Sequence, residues 1–167
     1  MKIAAILAFV SVFGGSMQGE HDGEGCTPEE NALIEKCKSV SKKHADLLAK
    51  ANLNTDGPKE YNELAAACKE EVKCMSQIKC QSVRKFIDEG TSVTCQWAEC
   101  SAKLHPKKDE IPCIKEYLFY GNDKEFPKEE MCKKVKEYGE CVGNQLKAVC
   151  GAAIYNMHKS HIDLLGC

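Results

Sequence analysis

Apolar residues recur at steps of three and four along much of this chain, which is the spacing of one face of an α-helix. The first such stripe follows Thr27-Pro28-Glu29-Glu30, in which Thr27 suits the N-cap, Pro28 the first helical position and Glu30 the third residue of a capping box. Its members are Leu33, Cys37, Val40, His44, Leu47, Leu48 and Ala51. The pattern predicts an amphipathic helix of about 25 residues, with Cys37 on its buried stripe and His44 half-buried in the packing.

The next segment carries three cysteines, Cys68, Cys74 and Cys80, each six residues from the next, in a stretch rich in Ala, Glu and Lys. In a helix a step of six residues turns a side chain by about 600°, so the three thiols would point in directions about 120° apart. We predict a central helix that ends near Cys80 and is tied by disulfides to three neighbours.

The rest of the chain reads as shorter helical pieces. A piece at 83–87 runs into Gly90, a helix with Cys95, Trp97, Cys100 and Leu104 stops at His105-Pro106, and an aromatic stretch covers 114–120. A second start signal at 127–130 opens a helix that Tyr138-Gly139 is expected to interrupt, and a last helix is predicted over 141–165. Strand alternation, internal repeats and linkers are not apparent. The sequence therefore predicts one all-α domain of about four to six helices around the three-cysteine helix.

The N-terminus has the pattern of a secretory signal peptide. Met1-Lys2 precedes an apolar run at 3–13, which is too short to span a bilayer, and small residues follow at 14–16. We predict a signal peptide at 1–16, a flexible polar tail at 17–25 and a single cysteine-rich domain at 26–167, with secretion of the mature chain. Loss of Lys2 leaves 22 basic against 25 acidic residues, a formal charge of −3. So mild a balance gives no reason to expect nucleic acid or an anionic membrane as partner.

The mature chain contains twelve cysteines, an even number that indicates six disulfides in an oxidising compartment. They are Cys26, Cys37, Cys68, Cys74, Cys80, Cys95, Cys100, Cys113, Cys132, Cys141, Cys150 and Cys167. Their role is predicted to be structural, and with on the order of ten thousand possible pairings the connectivity stays open. A metal cluster or reactive thiols are the alternative interpretation, which secretion disfavours.

Other motifs have structural explanations that we favour over functional ones. His158 and His161 with Asp163 have the spacing of metal ligands on one helix face, but solvent-facing histidines explain them better. The aromatic stretch of 117–120 with Phe126 suits either a contact surface or core packing, and we favour the core. The lysines of the first helix suit a solvated face. No catalytic motif, phosphate loop or N-glycosylation acceptor is found, so we predict no catalytic residue, cofactor or metal.

Four segments together resemble the secreted cysteine-rich domain of nematodes known as domain of unknown function 19. They are Cys68-x5-Cys74-x5-Cys80, Trp97-Ala-Glu-Cys100-Ser-Ala-Lys-Leu104, Cys113-Ile-Lys-Glu-Tyr117 and Cys132-x8-Cys141-x8-Cys150-Gly151. The resemblance extends from Cys26 to Cys167 and implies an extracellular helical domain with twelve disulfide-forming cysteines. It implies no activity and no functional residues. Residues 121–126 are polar where the family is expected to be richer in proline and aromatic residues.

Three functions are compatible with this sequence. The leading hypothesis is a secreted, non-enzymatic binding module for an extracellular protein, stabilised by disulfides and monomeric. A carrier that encloses a small apolar, lipid-like ligand among its helices is the alternative, motivated by the apolar stripes. An enzyme with dispersed catalytic residues is the third, and no catalytic set can be named for it.

Overall fold

The polypeptide is helical through most of the part that the structure describes. This computed structural model describes residues 25–52, 55–120 and 126–167; the predicted signal peptide and nearly all of the predicted tail lie outside these ranges. Seven α-helices follow in order: α1 (Pro28–Lys50), α2 (Pro58–Met75), α3 (Gln81–Phe86), α4 (Ser92–Leu104), α5 (Pro112–Tyr117), α6 (Lys128–Cys150) and α7 (Ala152–Leu165). The described residues form no strand, which confirms the all-α class. Five of the helices are longer than two turns, within the predicted range of four to six.

The helices form two groups that meet at α4. Helix α2 packs against both α1 and α4, and α6 packs against both α5 and α7, while α4 also contacts α6 and α7. The largest cluster of buried side chains, which includes Trp97, Ile114 and Leu146, lies in the second group. A separate cluster that includes Cys37, Met75 and Ile78 lies where α1 meets the end of α2. The core therefore has more than one centre, and α4 contributes to the largest one.

The start of α1 follows the prediction closely. The Thr27 hydroxyl accepts a hydrogen bond from the Glu30 N–H at 3.2 Å, and the Glu30 carboxylate accepts one from the Thr27 N–H at 2.8 Å. This capping box satisfies two amide groups that have no partner inside the helix. The capping hydrogen bonds also hold the pKa of Glu30 below its usual value. Helix α1 is 23 residues long, close to the predicted 25.

The predicted three-sided cysteine helix is wrong in its length. Helix α2 ends at Met75, so it carries only Cys68 and Cys74, and Cys80 is the N-cap of α3. The Lys79 N–H donates to the free carboxylate oxygen of Glu30 at 2.9 Å. That hydrogen bond holds the segment after α2 against the start of α1. If α2 continued, this segment would point away from α1.

The glycines in the second half act differently from the prediction. Helix α6 continues through Gly139 and Gly143, and the chain turns instead at Gly151, whose φ of 87° favours glycine. Gly143 is buried, and a Cβ there would lie 3.1 Å from the Tyr155 ring of α7. Because glycine leaves this space open, α6 and α7 pack closely. The expected break at Gly90 is also absent, because a π-helical turn (Ile87–Thr91) connects α3 to α4.

Candidate functional site

Six disulfides connect the helices and include all twelve cysteines. The pairs are Cys26–Cys80, Cys37–Cys74, Cys68–Cys95, Cys100–Cys150, Cys113–Cys141 and Cys132–Cys167. Two of them fix α1 and its leading residue to the end of α2, one joins α2 to α4, and one joins α4 to the end of α6. The last two attach α5 and the C-terminus to α6. Cys74 and Cys80 are bridged to α1 and the residue before its cap, and Cys68 is bridged to α4. The three cysteines therefore reach two neighbouring helices, whereas three were predicted.

The alternative of a cysteine metal cluster has one geometric candidate among the described residues. A Glu30 carboxylate oxygen and the sulfurs of Cys26 and Cys80 all lie within 4.8 Å of one another. The two sulfurs are joined in a disulfide. Metal binding by cysteine requires the thiolate, so this group is a covalent crosslink beside a helix cap.

A shallow groove runs between α1 and α2 on the surface, and we call it the α1–α2 groove. It has a volume of about 560 Å³ and is lined by Ser39, Lys42, Lys43, Asp46, Leu47, Lys50, Glu63 and Ala66. Leu47 is half-buried and forms the apolar floor together with Ala66, while the charged residues lie exposed along the rim. Three lysines and two carboxylates lie on that rim, so the groove has an apolar centre and a rim of mixed charge.

Three contacts near the groove connect α1 to α2, the two helices that form its walls. The Lys43 ammonium donates to the Glu70 carboxylate at 2.9 Å across the two helices. One residue further along each helix, His44 Nδ1 and Glu71 Oε2 are 2.5 Å apart, with only 7% and 4% of the two side chains exposed. The Cys37–Cys74 disulfide adds a covalent link between the same helices. The spacing of α1 and α2 is therefore fixed by a covalent, a buried polar and an exposed ionic contact.

His44 and Glu71 are also the residue types of a catalytic acid–base pair. A carboxylate on Nδ1 orients the imidazole and leaves Nε2 as the reactive atom, and Ser41 lies one turn earlier in α1. However, no hydrogen bond joins Ser41 to His44, and Ser41 Oγ and His44 Nε2 are both buried without a partner among the described residues. A substrate would have to reach atoms that solvent does not reach. What the structure shows for this pair is a buried contact that links α1 to α2.

Glu71 is the residue of this link that the sequence reading missed. His44 was placed on the apolar stripe of α1 as a half-buried residue, and it is more deeply buried than that, at 6% exposure. Glu71 lies on the buried stripe of α2, four residues from both Ala67 and Met75. The signal that indicates this pair is a carboxylate on the buried stripe of α2 and a histidine on the buried stripe of α1.

His158 is not solvent-facing, which corrects the interpretation of the histidine pair. It is 6% exposed, and its ring meets the Tyr117 ring edge to face with centroids 5.6 Å apart. Burial, with a smaller effect of His161, lowers the pKa of His158 to about 4, and burial raises the pKa of Tyr117 to about 12. In the described ranges no group of three metal-ligating side chains includes His158. The ring therefore acts as a neutral packing residue.

The aromatic stretch divides into a buried and a half-buried part. Tyr117, Leu118 and Phe119 are buried, as the preference for core packing predicts. Tyr120 and Phe126 are only half-buried, and their rings contact each other with centroids 4.5 Å apart. These two rings therefore lie partly at the surface beside α6.

A family model described as a domain of unknown function (DUF19) matches residues 26–166. The chain belongs to this family. The matched part of this DUF19 chain begins at Cys26 and contains eleven of the twelve cysteines, so the resemblance of the cysteine segments is confirmed. No curated protein and no solved structure matches the chain. None of the described helices combines the length and apolar character needed to cross a membrane.

Proposed function

We propose that this DUF19 chain is a secreted, non-enzymatic binding module that recognises a peptide segment of another extracellular protein in the α1–α2 groove. The groove itself supports the proposal, because its apolar floor is open along its length. Small-molecule sites bury most of their ligand, whereas an open groove suits an extended chain that places a few apolar side chains on the floor. The mixed charges of the rim favour a partner that carries both signs.

The rigidity of α1 and α2 supports the same function. A binding surface that is already in its bound shape avoids the entropic cost of ordering when the partner binds. The Cys37–Cys74 disulfide and the His44–Glu71 hydrogen bond both lie between the two helices that form the groove. Such links maintain the width of the groove without occupying it.

The disulfides support an extracellular location. Six bridges in a chain of this length are typical of proteins that reside in an oxidising compartment, since cytosolic thiols are kept reduced. Each bridge contributes about 2–4 kcal/mol, so six bridges together add more stability than a chain of this size needs in order to fold. The surplus suits an environment rich in proteases. The apolar run at 3–13 after Lys2 supplies the export signal in this proposal.

A peptide selection with a blocked groove tests the proposal. Ala66 is exposed on the floor, so Ala66→Arg fills the groove with a residue that favours helix and leaves the core unchanged. Ala45→Arg is the matched control, because Ala45 is exposed on α1 and does not line the groove. Peptides selected on the oxidised wild-type chain should bind Ala45→Arg equally and Ala66→Arg at least tenfold more weakly. Selected peptides that bind all three proteins equally, or a selection that yields none, would contradict a groove-directed module.

A carrier of a small apolar ligand is the second candidate, and buried polar atoms favour it. Trp97 Nε1, Tyr117 Oη and His158 Nε2 are buried without a hydrogen-bond partner among the described residues, and their rings come from α4, α5 and α7. The polar end of an otherwise apolar ligand would satisfy them. Native mass spectrometry of the secreted protein separates the candidates: extra mass that is lost on denaturation supports the carrier, and a bare monomer mass supports the module.

A further inference from the structure

Three aromatic rings surround the ammonium group of Lys134, and we call Tyr120, Phe126 and Tyr138 the aromatic cage. Lys134 Nζ lies 4.6 Å from the ring centroid of Phe126, 5.9 Å from that of Tyr138 and 6.0 Å from that of Tyr120. The faces of aromatic rings carry negative electrostatic potential, so rings at these distances attract a cation. Proteins that recognise quaternary ammonium groups use the same arrangement of rings.

Oxygen atoms of Glu116 provide a polar side to the aromatic cage. The Lys134 ammonium donates to the Glu116 carbonyl oxygen at 2.7 Å, and a Glu116 carboxylate oxygen lies 3.9 Å away. The site therefore offers negative potential both from the rings and from the oxygens. It selects for a cation, and an anionic group attached close to that cation would meet the Glu116 carboxylate.

The aromatic cage is accessible from solvent. All three of its rings are half-buried, and the Lys134 side chain keeps 15% of its surface exposed. Lysine is long and has a strongly hydrated ammonium, so a displaced Lys134 regains hydration in solvent, at the cost of its hydrogen bond to the Glu116 carbonyl oxygen. Each cation–ring contact shifts an equilibrium about two- to fivefold when exposed and more when desolvated, so Lys134 is an internal occupant with which an external cation must compete.

A trimethylammonium group suits this competition better than a primary ammonium does. Its methyl groups contact ring faces over a larger apolar area, and it has fewer hydration hydrogen bonds to lose than the lysine ammonium. We propose that the aromatic cage is a binding site for small trimethylammonium cations of the choline type, with Lys134 as an internal competitor. Because of the Glu116 carboxylate, a choline whose oxygen bears a phosphate binds more weakly than free choline.

NMR titration of the oxidised full chain with choline tests the site directly. Bound N-methyl protons should shift upfield, because ring currents act on groups that lie over ring faces. Lys134→Ala should tighten choline binding on the order of tenfold by removing the competitor. Phe126→Leu should abolish the upfield shift, since Phe126 is the ring closest to the ammonium. Lys147→Ala is the matched control and should leave choline binding unchanged, because Lys147 Nζ lies over a different ring, that of Tyr155, at 5.7 Å.

Two further ligands separate the sources of binding. The uncharged choline analogue 3,3-dimethylbutanol has the same shape without the charge, so equal binding of both would overturn a cation site. The protein should bind vesicles of phosphatidylcholine no better than vesicles of an anionic lipid. If it binds phosphatidylcholine vesicles selectively but does not bind free choline, the preference for an unphosphorylated cation is overturned. Absence of choline binding to both the wild-type chain and Lys134→Ala would refute the proposal. If Lys134→Ala fails to fold, the wild-type and Phe126→Leu titrations decide it alone.

Discussion

Replacing one partner of the His44–Glu71 link should be far more damaging than replacing both. His44→Leu leaves the Glu71 carboxylate, whose side chain is 4% exposed, buried beside an apolar residue. A buried charge without its partner costs about 3–5 kcal/mol at neutral pH. Glu71→Met leaves His44 Nδ1 buried without its hydrogen-bond partner, which should cost about 1–3 kcal/mol. The double variant removes both polar groups and should be as stable as the wild-type chain or more stable.

Guanidinium unfolding at pH 7 with intact disulfides measures these differences, followed by circular dichroism. The exposed Lys43–Glu70 pair is the matched control, because it joins the same two helices one residue earlier on each and more than half of each side chain is exposed. Lys43→Ala should cost no more than about 1 kcal/mol. The reasoning is refuted if His44→Leu costs no more than Lys43→Ala, or if the two single losses add in the double variant.

Three other perturbations follow from the same structure. Because burial lowers the pKa of His158 to about 4, the unfolded chain binds this proton first as pH falls. The stabilisation is complete above about pH 6.5, and about 2 kcal/mol of it should be lost between pH 6.5 and 5. In pH-dependent unfolding, His158→Phe should remove this contribution and leave the smaller one of His161, whose pKa is also lowered by burial. Gly139→Ala should raise stability by about 0.5–1 kcal/mol, since its Cβ would make only ordinary contacts, whereas Gly143→Ala should gain none because its Cβ would crowd a tyrosine ring. Thermal unfolding compares the two variants, and equal gains would contradict the packing argument. Replacing both Cys37 and Cys74 by serine removes a bridge that spans 37 residues, and it should lower the free energy of unfolding by about 4 kcal/mol in chemical denaturation. A loss below about 1 kcal/mol would show that the bridge is dispensable.

Local signals in the sequence determined the elements, and they failed where distant residues intervened. The capping box at Thr27 needs only its own first turn, and it formed as predicted. The end of α2 was misplaced because a carboxylate 49 positions earlier accepts the Lys79 amide. The break in the last long helix was misplaced because glycine permits a turn without requiring one, and packing against α7 decided that Gly143 stays helical and Gly151 turns.

The candidate sites depended on tertiary contacts to a greater degree. An even cysteine count predicts six bridges, but many different pairings satisfy the count, and only the packing of the helices selects one. The α1–α2 groove and the buried His44–Glu71 link combine residues from two helices, and their sequence separations give no signal of contact. In the aromatic cage, Tyr138 lies one turn from Lys134 in α6, whereas Tyr120 and Phe126 come from outside the helices. Helical class, cysteine content and family thus follow from the sequence itself, because they depend on periodicity and composition. The bridges and the groove follow only from the tertiary structure, because they depend on which helix faces meet. The cage does so as well, because it depends on how the segments outside the helices fold back onto α6.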